Sequence, residues 1–198
     1  MYTGVYVPSL TTSEKILKAT RTLIENEGAP AVSIRRIAAE VGITPMAIYR
    51  HFEDLAAIMR AVNNQLAHEV ATAWATSGLS EGIKREYAPL GYYLDYALAH
   101  PHLFDYVFGA RQPHARRYPE DFRDRQSPAF NVMVDSLAAG IRDGLLAKGD
   151  PYDYAMSLWA HAHGLVSLYR AGRFSYEEAE FRAFFMASME IMFRGMRA

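Results

Sequence analysis

The chain has 198 residues, of which 51% are hydrophobic and 22% are charged, a composition typical of a globular protein and not of an intrinsically disordered one. Its net charge of −1 means that the molecule as a whole offers nucleic acid no strong attraction. Cysteine is absent, which excludes disulfide bonds, thiolate nucleophiles and cysteine-ligated zinc.

The sequence carries no sign of export or membrane insertion. Its first ten residues lack the basic region and the apolar run of a signal peptide. No uninterrupted apolar stretch reaches the ~18–20 residues that a membrane-spanning helix needs. We therefore expect a cytoplasmic protein with no membrane partner.

Apolar residues recur at helical spacing through nearly the whole chain, and alternating strand-like runs are absent. This pattern predicts an all-α protein of about nine helices. Three prolines and many charges between Arg111 and Pro128 predict a mobile surface loop. The helices are expected at 13–27, 34–40, 45–52, from 54 onward, 83–99, 101–109, 127–146, 152–171 and 176–195.

Two domains are expected. The segment Ser77-Gly78-Leu79-Ser80 interrupts the helical pattern as a domain boundary would. The N-terminal group of short helices ends earlier, so we assign residues 1–55 to an N-terminal three-helix domain and residues 56–198 to a C-terminal helical bundle.

Two short helices joined by a tight turn are predicted between Ser33 and Phe52. Ser33 and Thr44 are suited to cap the two helices, and Gly42 suits the left-handed conformation that ends the first one. Ile48 and Phe52, four residues apart, would anchor the second helix to the core. Its opposite face would present Met46, Ala47, Tyr49, Arg50 and His51, a surface suited to the major groove of DNA.

Charge by itself does not establish that this segment binds DNA. The segment 33–52 holds three arginines (Arg35, Arg36 and Arg50) against Glu40, and so carries only a weak basic focus.

The segments Ile37-Ala38, Val41-Gly42-Ile43 and Ile48-Tyr49-Arg50-His51-Phe52 resemble the N-terminal domain of TetR-family regulators over roughly residues 12–62. In that family a helix-turn-helix ends with an aromatic–x–His–aromatic signature, and a long connecting helix follows. The resemblance implies phosphate contacts from Tyr49 and His51. The full DNA-binding set that we expect is Ser33, Arg35, Arg36, Thr44, Pro45, Met46, Ala47, Tyr49, Arg50 and His51.

The sequence departs from this family at one informative position. The family usually has a lysine or arginine at the start of the fourth helix, where it clamps a phosphate. Here the matching residue is Leu55. DNA affinity is therefore expected to be weaker, or to be supplied by the N-terminal arm.

The second half of the chain is rich in aromatic residues and histidines. The Trp159…His163-Gly164 pattern resembles the C-terminal domain of a TetR subgroup named for those three residue types. The resemblance implies a cavity for an unknown, apolar or aromatic effector, although aromatics at helical spacing are more often ordinary core residues. The candidate ligand-binding residues are Tyr92, Tyr96, Phe104, Phe108, Met133, Trp159 and His163.

We expect no metal and no cofactor. His161 and His163 are two residues apart on a helix and therefore point in different directions, which prevents them from sharing an ion.

The last two helices carry more apolar residues than one buried face needs, which favours a partner surface. The resemblance implies a homodimer in which the last two helices of each subunit form a four-helix bundle. Such a dimer would present two recognition helices to successive major grooves of a palindromic operator.

Together these expectations describe a ligand-responsive DNA-binding regulator, a repressor that a small molecule releases from operator DNA. One alternative is a helical small-molecule-binding or scaffold protein that has lost DNA binding. The other is a small helical enzyme that would use His161, His163 and carboxylates such as Asp95 or Asp105. No nucleophile–base pair or phosphate loop is recognisable, so we expect a protein that is not an enzyme.

Overall fold

The computed structural model describes residues 10–77, 84–109 and 115–198, and of residues 77 and 84–89 it describes the backbone only. Ten α-helices dominate these ranges, and no extended strand occurs within them, which confirms the all-α class. Nor does any described helix have the length and apolarity that would let it cross a bilayer. The helices are α1 (Thr12–Glu27), α2 (Ile34–Val41), α3 (Pro45–Ile48), α4 (Leu55–Ser77), α5 (Lys84–Ala99), α6 (Pro101–Phe104), α7 (Glu120–Arg123), α8 (Pro128–Arg142), α9 (Pro151–Arg170) and α10 (Glu178–Arg194).

The described residues form two compact units. The first contains 10–66 and 100–109, so it holds α1 to α3, the first part of α4, and α6. The second contains 67–77, 84–99 and 115–198. The predicted break at Ser77-Gly78-Leu79-Ser80 lies, beyond Ser77, outside the described residues.

The core of the first unit is built from isoleucines and leucines at helical spacing. Ile16 and Ile24 of α1 and Ile37 of α2 are fully buried, and α6 packs against α1. A π-helical turn follows α6, and within it the Tyr106 hydroxyl donates a 2.7 Å hydrogen bond to the Met59 carbonyl. Burial raises the pKa of Tyr106 to about 12, so the hydroxyl remains a donor at physiological pH.

In the second unit α8 packs against α9, and both contact α5. The fourth helix of this bundle is α10. Its side chains Phe181, Phe185, Met189 and Phe193 recur every four residues and are fully buried. This spacing places all four side chains on one face of the helix.

The predicted loop between Arg111 and Pro128 contains the short helix α7, which accounts for the tenth helix. The helix α7 was not predicted because contacts with residues distant in the sequence stabilise it. Phe122 is only 6% exposed, and Arg123 lies 2.8 Å from the Asp150 carboxylate. Residues 111–114 of that segment lie outside the described residues.

The third helix is shorter than predicted. It spans Pro45–Ile48 instead of residues 45–52, and tight turns follow it. The Arg50 N–H donates to the Ala47 carbonyl at 3.3 Å, and the His51 N–H donates to the Ile48 carbonyl at 2.9 Å. Each of these bonds spans three residues, the spacing of a tighter turn than the α-helix.

The predicted caps are confirmed. The Ser33 hydroxyl accepts the Arg36 N–H, and the Thr44 hydroxyl accepts the Ala47 N–H, each at 3.3 Å. Gly42 lies in the left-handed region (φ 74°, ψ 36°), and its N–H bonds to carbonyls of the last turn of α2. The turn between α2 and α3 therefore depends on a backbone conformation that residues other than glycine rarely adopt.

We expect Gly42→Ala to lower the free energy of unfolding by about 1 kcal/mol, because alanine strains a left-handed residue by roughly that amount. An added Cβ would meet open space, with no described atom within 4 Å, so the cost is conformational and not steric. Gly42→Asn is the matched control, since asparagine tolerates this region and should lose less. Urea denaturation measures both, and equal losses would contradict the assignment of strain.

Candidate functional site

A short segment of the first unit presents exposed side chains around one buried anchor. Met46 is 71% exposed and Tyr49 is 52% exposed, whereas Ile48 between them is fully buried. Thr44, Pro45, Arg50 and His51 are also exposed, and Ala47 is half-buried.

The backbone of this segment is held at both ends. Thr44 caps α3 and Pro45 occupies its first position, where a missing N–H costs nothing. At the other end the Ile48 carbonyl accepts N–H groups from both His51 (2.9 Å) and Phe52 (3.0 Å). The side chains on the exposed face therefore project from a fixed backbone.

The His51 ring contacts α1. Its Nδ1 lies 3.2 Å from the hydroxyl of Ser13, in the first turn of that helix. Ser13 was not among the predicted site residues, because a contact between positions so far apart leaves no signal in local sequence patterns.

The two predicted arginines of α2 differ in environment. Arg35 is exposed, whereas the guanidinium of Arg36 binds both carboxylate oxygens of Glu27, with Nη1 at 2.8 Å from Oε2. Nη1 also donates to the Ala31 carbonyl at 3.3 Å. Hydrogen bonding by Arg36 lowers the pKa of Glu27, so this carboxylate stays charged and keeps the pair together.

The start of α4 carries an acidic cap and no basic residue. Leu55 is half-buried as the first residue of the helix. The preceding Asp54 accepts the Ala57 N–H at 2.6 Å. This arrangement stabilises the helix N-terminus but places a negative charge next to Leu55, the position where a phosphate clamp would need a positive one.

In the second unit, Tyr93 joins two of the predicted ligand residues. Its hydroxyl lies 2.8 Å from Nδ1 of His163 and is also hydrogen-bonded by Trp159. The Trp159 and His163 rings are 6.4 Å apart. Burial raises the pKa of Tyr93 well above its usual range, so the phenol stays neutral.

Aromatic side chains surround this group. Phe122 and Phe130 lie 6.0 Å and 6.2 Å from the Trp159 ring, and Trp74 lies 6.1 Å from the Tyr93 ring. We call the set Tyr93, Phe122, Phe130, Trp159 and His163 the aromatic cluster. The predicted residue Met133, on α8, is also buried.

Tyr93 was missed although the sequence holds a signal for it. Leu90, Tyr93, Leu94 and Ala97 follow the three-and-four spacing of a buried helical face, and all four are buried. The predicted residue Tyr92 falls off this face and is 42% exposed, and Tyr96 is half-buried.

The predicted residues Phe104 and Phe108 lie on α6 and on the π-helical turn that follows it. They belong to the first unit, where their rings pack at 5.2 Å, and Phe104 is buried. His161 also differs from His163, since its Nε2 contacts the Ser188 hydroxyl at 2.8 Å. Within the described ranges, no three potential metal ligands gather in one place.

Both halves of the chain match known protein families. Residues 16–62 match a family of bacterial regulatory proteins, the tetR family. Residues 88–192 match the tetracyclin repressor-like C-terminal domain.

Individual relatives agree with these matches. An uncharacterised HTH-type transcriptional regulator of Mycobacterium tuberculosis is 26% identical over 168 residues, which cover 83% of this chain and 73% of that one. A protein of unknown function from Rhodococcus sp. RHA1 shares the fold with a TM-score of 0.80 at 21% identity, over 96% of this chain and 97% of that one. The transcriptional regulator FadR of Bacillus subtilis, solved with stearoyl-CoA, has a TM-score of 0.72 at 14% identity, over 92% and 98% of the two chains.

Because the C-terminal match spans more than half of the sequence and the N-terminal match covers the helix-turn-helix, this chain belongs to the TetR family of ligand-responsive, DNA-binding bacterial transcriptional regulators.

Proposed function

We propose that the protein is a homodimeric repressor that leaves a palindromic operator when a small apolar or aromatic molecule binds its second unit. The observation that carries this proposal is the segment after Gly42, where exposed Met46, Tyr49 and His51 surround the buried Ile48. A short, anchored helix with polar and aromatic side chains on its outer face suits the major groove.

The contacts with DNA divide into two kinds. Tyr49 and His51 donate hydrogen bonds to phosphates and so position the protein, while Met46 and Ala47 face the bases. Arg35 and Arg50 add positive charge. Arg36 would have to leave Glu27 to reach DNA, so we assign its main role to holding α2 against α1.

We propose the aromatic cluster as the effector site. Aromatic walls with a few polar tips are typical of sites for small molecules, and here the tips are Tyr93 and His163. The stearoyl-CoA bound to the Bacillus subtilis regulator supports the idea that this fold accommodates a large ligand with an apolar acyl chain.

Ligand and DNA must compete through the conformation of the protein. A ligand releases DNA only if it binds the form that cannot bind DNA more tightly, and such coupling is typically ~1–3 kcal/mol. We propose that α4 transmits the effect of ligand binding to the DNA-binding segment, because residues 55–66 belong to the first unit and residues 67–77 to the second.

The dimer is proposed to form through α9 and α10. Their inward faces are filled within the monomer, yet Leu168 is 48% exposed and Ile191 is 67% exposed. Phe184 is also 36% exposed on α10. Large apolar side chains left outside the core on adjacent helices favour a symmetric partner.

The first experiment measures binding to DNA from the protein's own upstream region, or to genomic fragments selected by the protein, at several salt concentrations. We expect salt-sensitive binding that the double variant Tyr49→Ala, His51→Ala weakens at least tenfold, since each hydrogen bond to a charged group contributes about 1.5–3 kcal/mol. A folded dimer that selects no fragment at low salt would instead support a helical scaffold protein.

Leu55→Lys provides the opposite change in the same assay. A lysine at the start of α4 adds one phosphate contact per protomer, which should tighten binding and steepen its salt dependence by about 0.9 per contact. Leu55→Gln is the uncharged control and should leave the slope unchanged.

The effector site can be tested by tryptophan fluorescence, because the chain has two tryptophans. In Trp74→Phe the remaining Trp159 reports on the aromatic cluster. We expect compounds from an aromatic and acyl-CoA panel that change this emission to release operator DNA, and His163→Ala to weaken both effects together. Compounds that release DNA without altering Trp159 emission would place the site elsewhere.

The dimer surface can be tested by charge insertion. We expect Ile191→Glu to convert the dimer to a folded monomer in sedimentation experiments, because an unpaired buried carboxylate is costly at an interface. Leu10→Glu is the control, since Leu10 is 46% exposed in the other unit. If Ile191→Glu stays dimeric, α10 does not form the interface in this way.

A further inference from the structure

The contact between Ser13 and His51 carries an inference about how the protein binds DNA, and it rests on the proposed function. The Ser13 hydroxyl oxygen and Nδ1 of His51 are 3.2 Å apart. They join α1 to the turn after α3, two elements distant in sequence that belong to the same unit.

Both ends of the contact are fixed by their own backbones. Ser13 follows the cap of α1, where the Thr11 hydroxyl accepts the Glu14 N–H at 3.3 Å and Glu14 accepts the Thr11 N–H at 2.7 Å. Three residues later Ile16 is fully buried and anchors the helix. His51 is held by its bond to the Ile48 carbonyl.

The neighbouring acid does not take the place of Ser13. The Glu14 carboxylate binds both the N–H and the hydroxyl of Thr11, at 2.7 Å and 2.8 Å. These bonds lower the pKa of Glu14 and engage the carboxylate in the helix cap. The hydroxyl of Ser13 is therefore the group that faces the His51 ring.

A neutral imidazole has one N–H and one bare nitrogen, and the partner of one nitrogen decides which tautomer is present. A phosphate oxygen accepts hydrogen bonds, so the nitrogen facing it must carry a proton. A hydroxyl that donates to Nδ1 places the ring proton on Nε2. The same hydroxyl oxygen can accept a bond from Nδ1–H, in the other neutral tautomer as well as in the charged ring. The contact therefore orients the ring in every protonation state, and it leaves the proton on Nε2 when the hydroxyl donates, the arrangement that a phosphate at Nε2 requires.

We propose that Ser13 is a positioning residue for DNA binding, whose hydroxyl holds the His51 ring in the orientation and tautomer that present Nε2–H to a phosphate. Ser13 thus acts through His51. In a binding surface with few positive charges, a correctly oriented neutral donor contributes a larger share of the affinity.

The test compares Ser13→Ala with Ser13→Thr in full-length protein. Alanine is a better helix former than serine, so Ser13→Ala should not unfold α1. We expect it to weaken operator binding roughly two- to tenfold, the usual range for one lost hydrogen bond. Threonine keeps the hydroxyl and should bind within about twofold of wild type. In a His51→Ala background, Ser13→Ala should have no further effect.

Nitrogen chemical shifts of the imidazole provide a readout that a merely structural role would not move. At about pH 8, where an ordinary histidine is neutral, we expect His51 of the DNA-free protein to show the Nε2–H tautomer and Ser13→Ala to show an average of both. His51→Ala identifies the signal among the seven histidines.

The outcomes separate this inference from the proposed function. If wild-type protein binds DNA but Ser13→Ala binds equally well, or leaves the His51 tautomer unchanged, the role of Ser13 is refuted and the repressor stands. If wild-type protein binds no genomic fragment, the proposed function fails and this inference fails with it.

Discussion

The proposed DNA-binding surface depends on the burial of Ile48. A helix of four residues cannot hold its shape in water, because nucleating a helical turn costs more conformational entropy than a single turn recovers. Packing of Ile48 into the core supplies the stabilisation that so short a helix cannot gain from its own hydrogen bonds. The Ile48 carbonyl then fixes the following turn by accepting the N–H groups of His51 and Phe52. Met46 and Tyr49 are displayed because the residue between them is held inside.

The second unit follows the same principle with a polar group at its centre. Tyr93 is fully buried, and burying an unpaired hydroxyl would cost free energy. Its bonds with His163 and Trp159 remove that cost and fix three aromatic side chains relative to one another. A cluster ordered in this way is preorganised, so a ligand that contacts it need not supply the ordering entropy.

Sequence patterns predicted features that depend on neighbours along the chain. Ser33, Gly42 and Thr44 act on backbone groups within a few residues, so the two caps and the turn could be predicted in detail. Features that depend on residues distant in the sequence were not predicted. The helix α7 is one of them, because Phe122 is buried against α8 and α9. The Ser13–His51 contact escaped for the same reason. In α5 the spacing of Leu90, Tyr93, Leu94 and Ala97 indicated which face is buried, but not that this face packs against α8 and α9.

The electrostatics of the first unit explain why orientation matters so much here. Arg36 is engaged by Glu27, Asp54 caps α4, and Leu55 takes the place of a basic clamp. Counterion release grows with the number of phosphates neutralised, so a surface with few available cations gains little affinity from it. In the proposed complex, hydrogen bonds from Tyr49 and His51 carry more of the binding free energy, and such bonds depend on angle as well as on distance. A surface of this kind gains affinity from rigidity, which the burial of Ile48 provides.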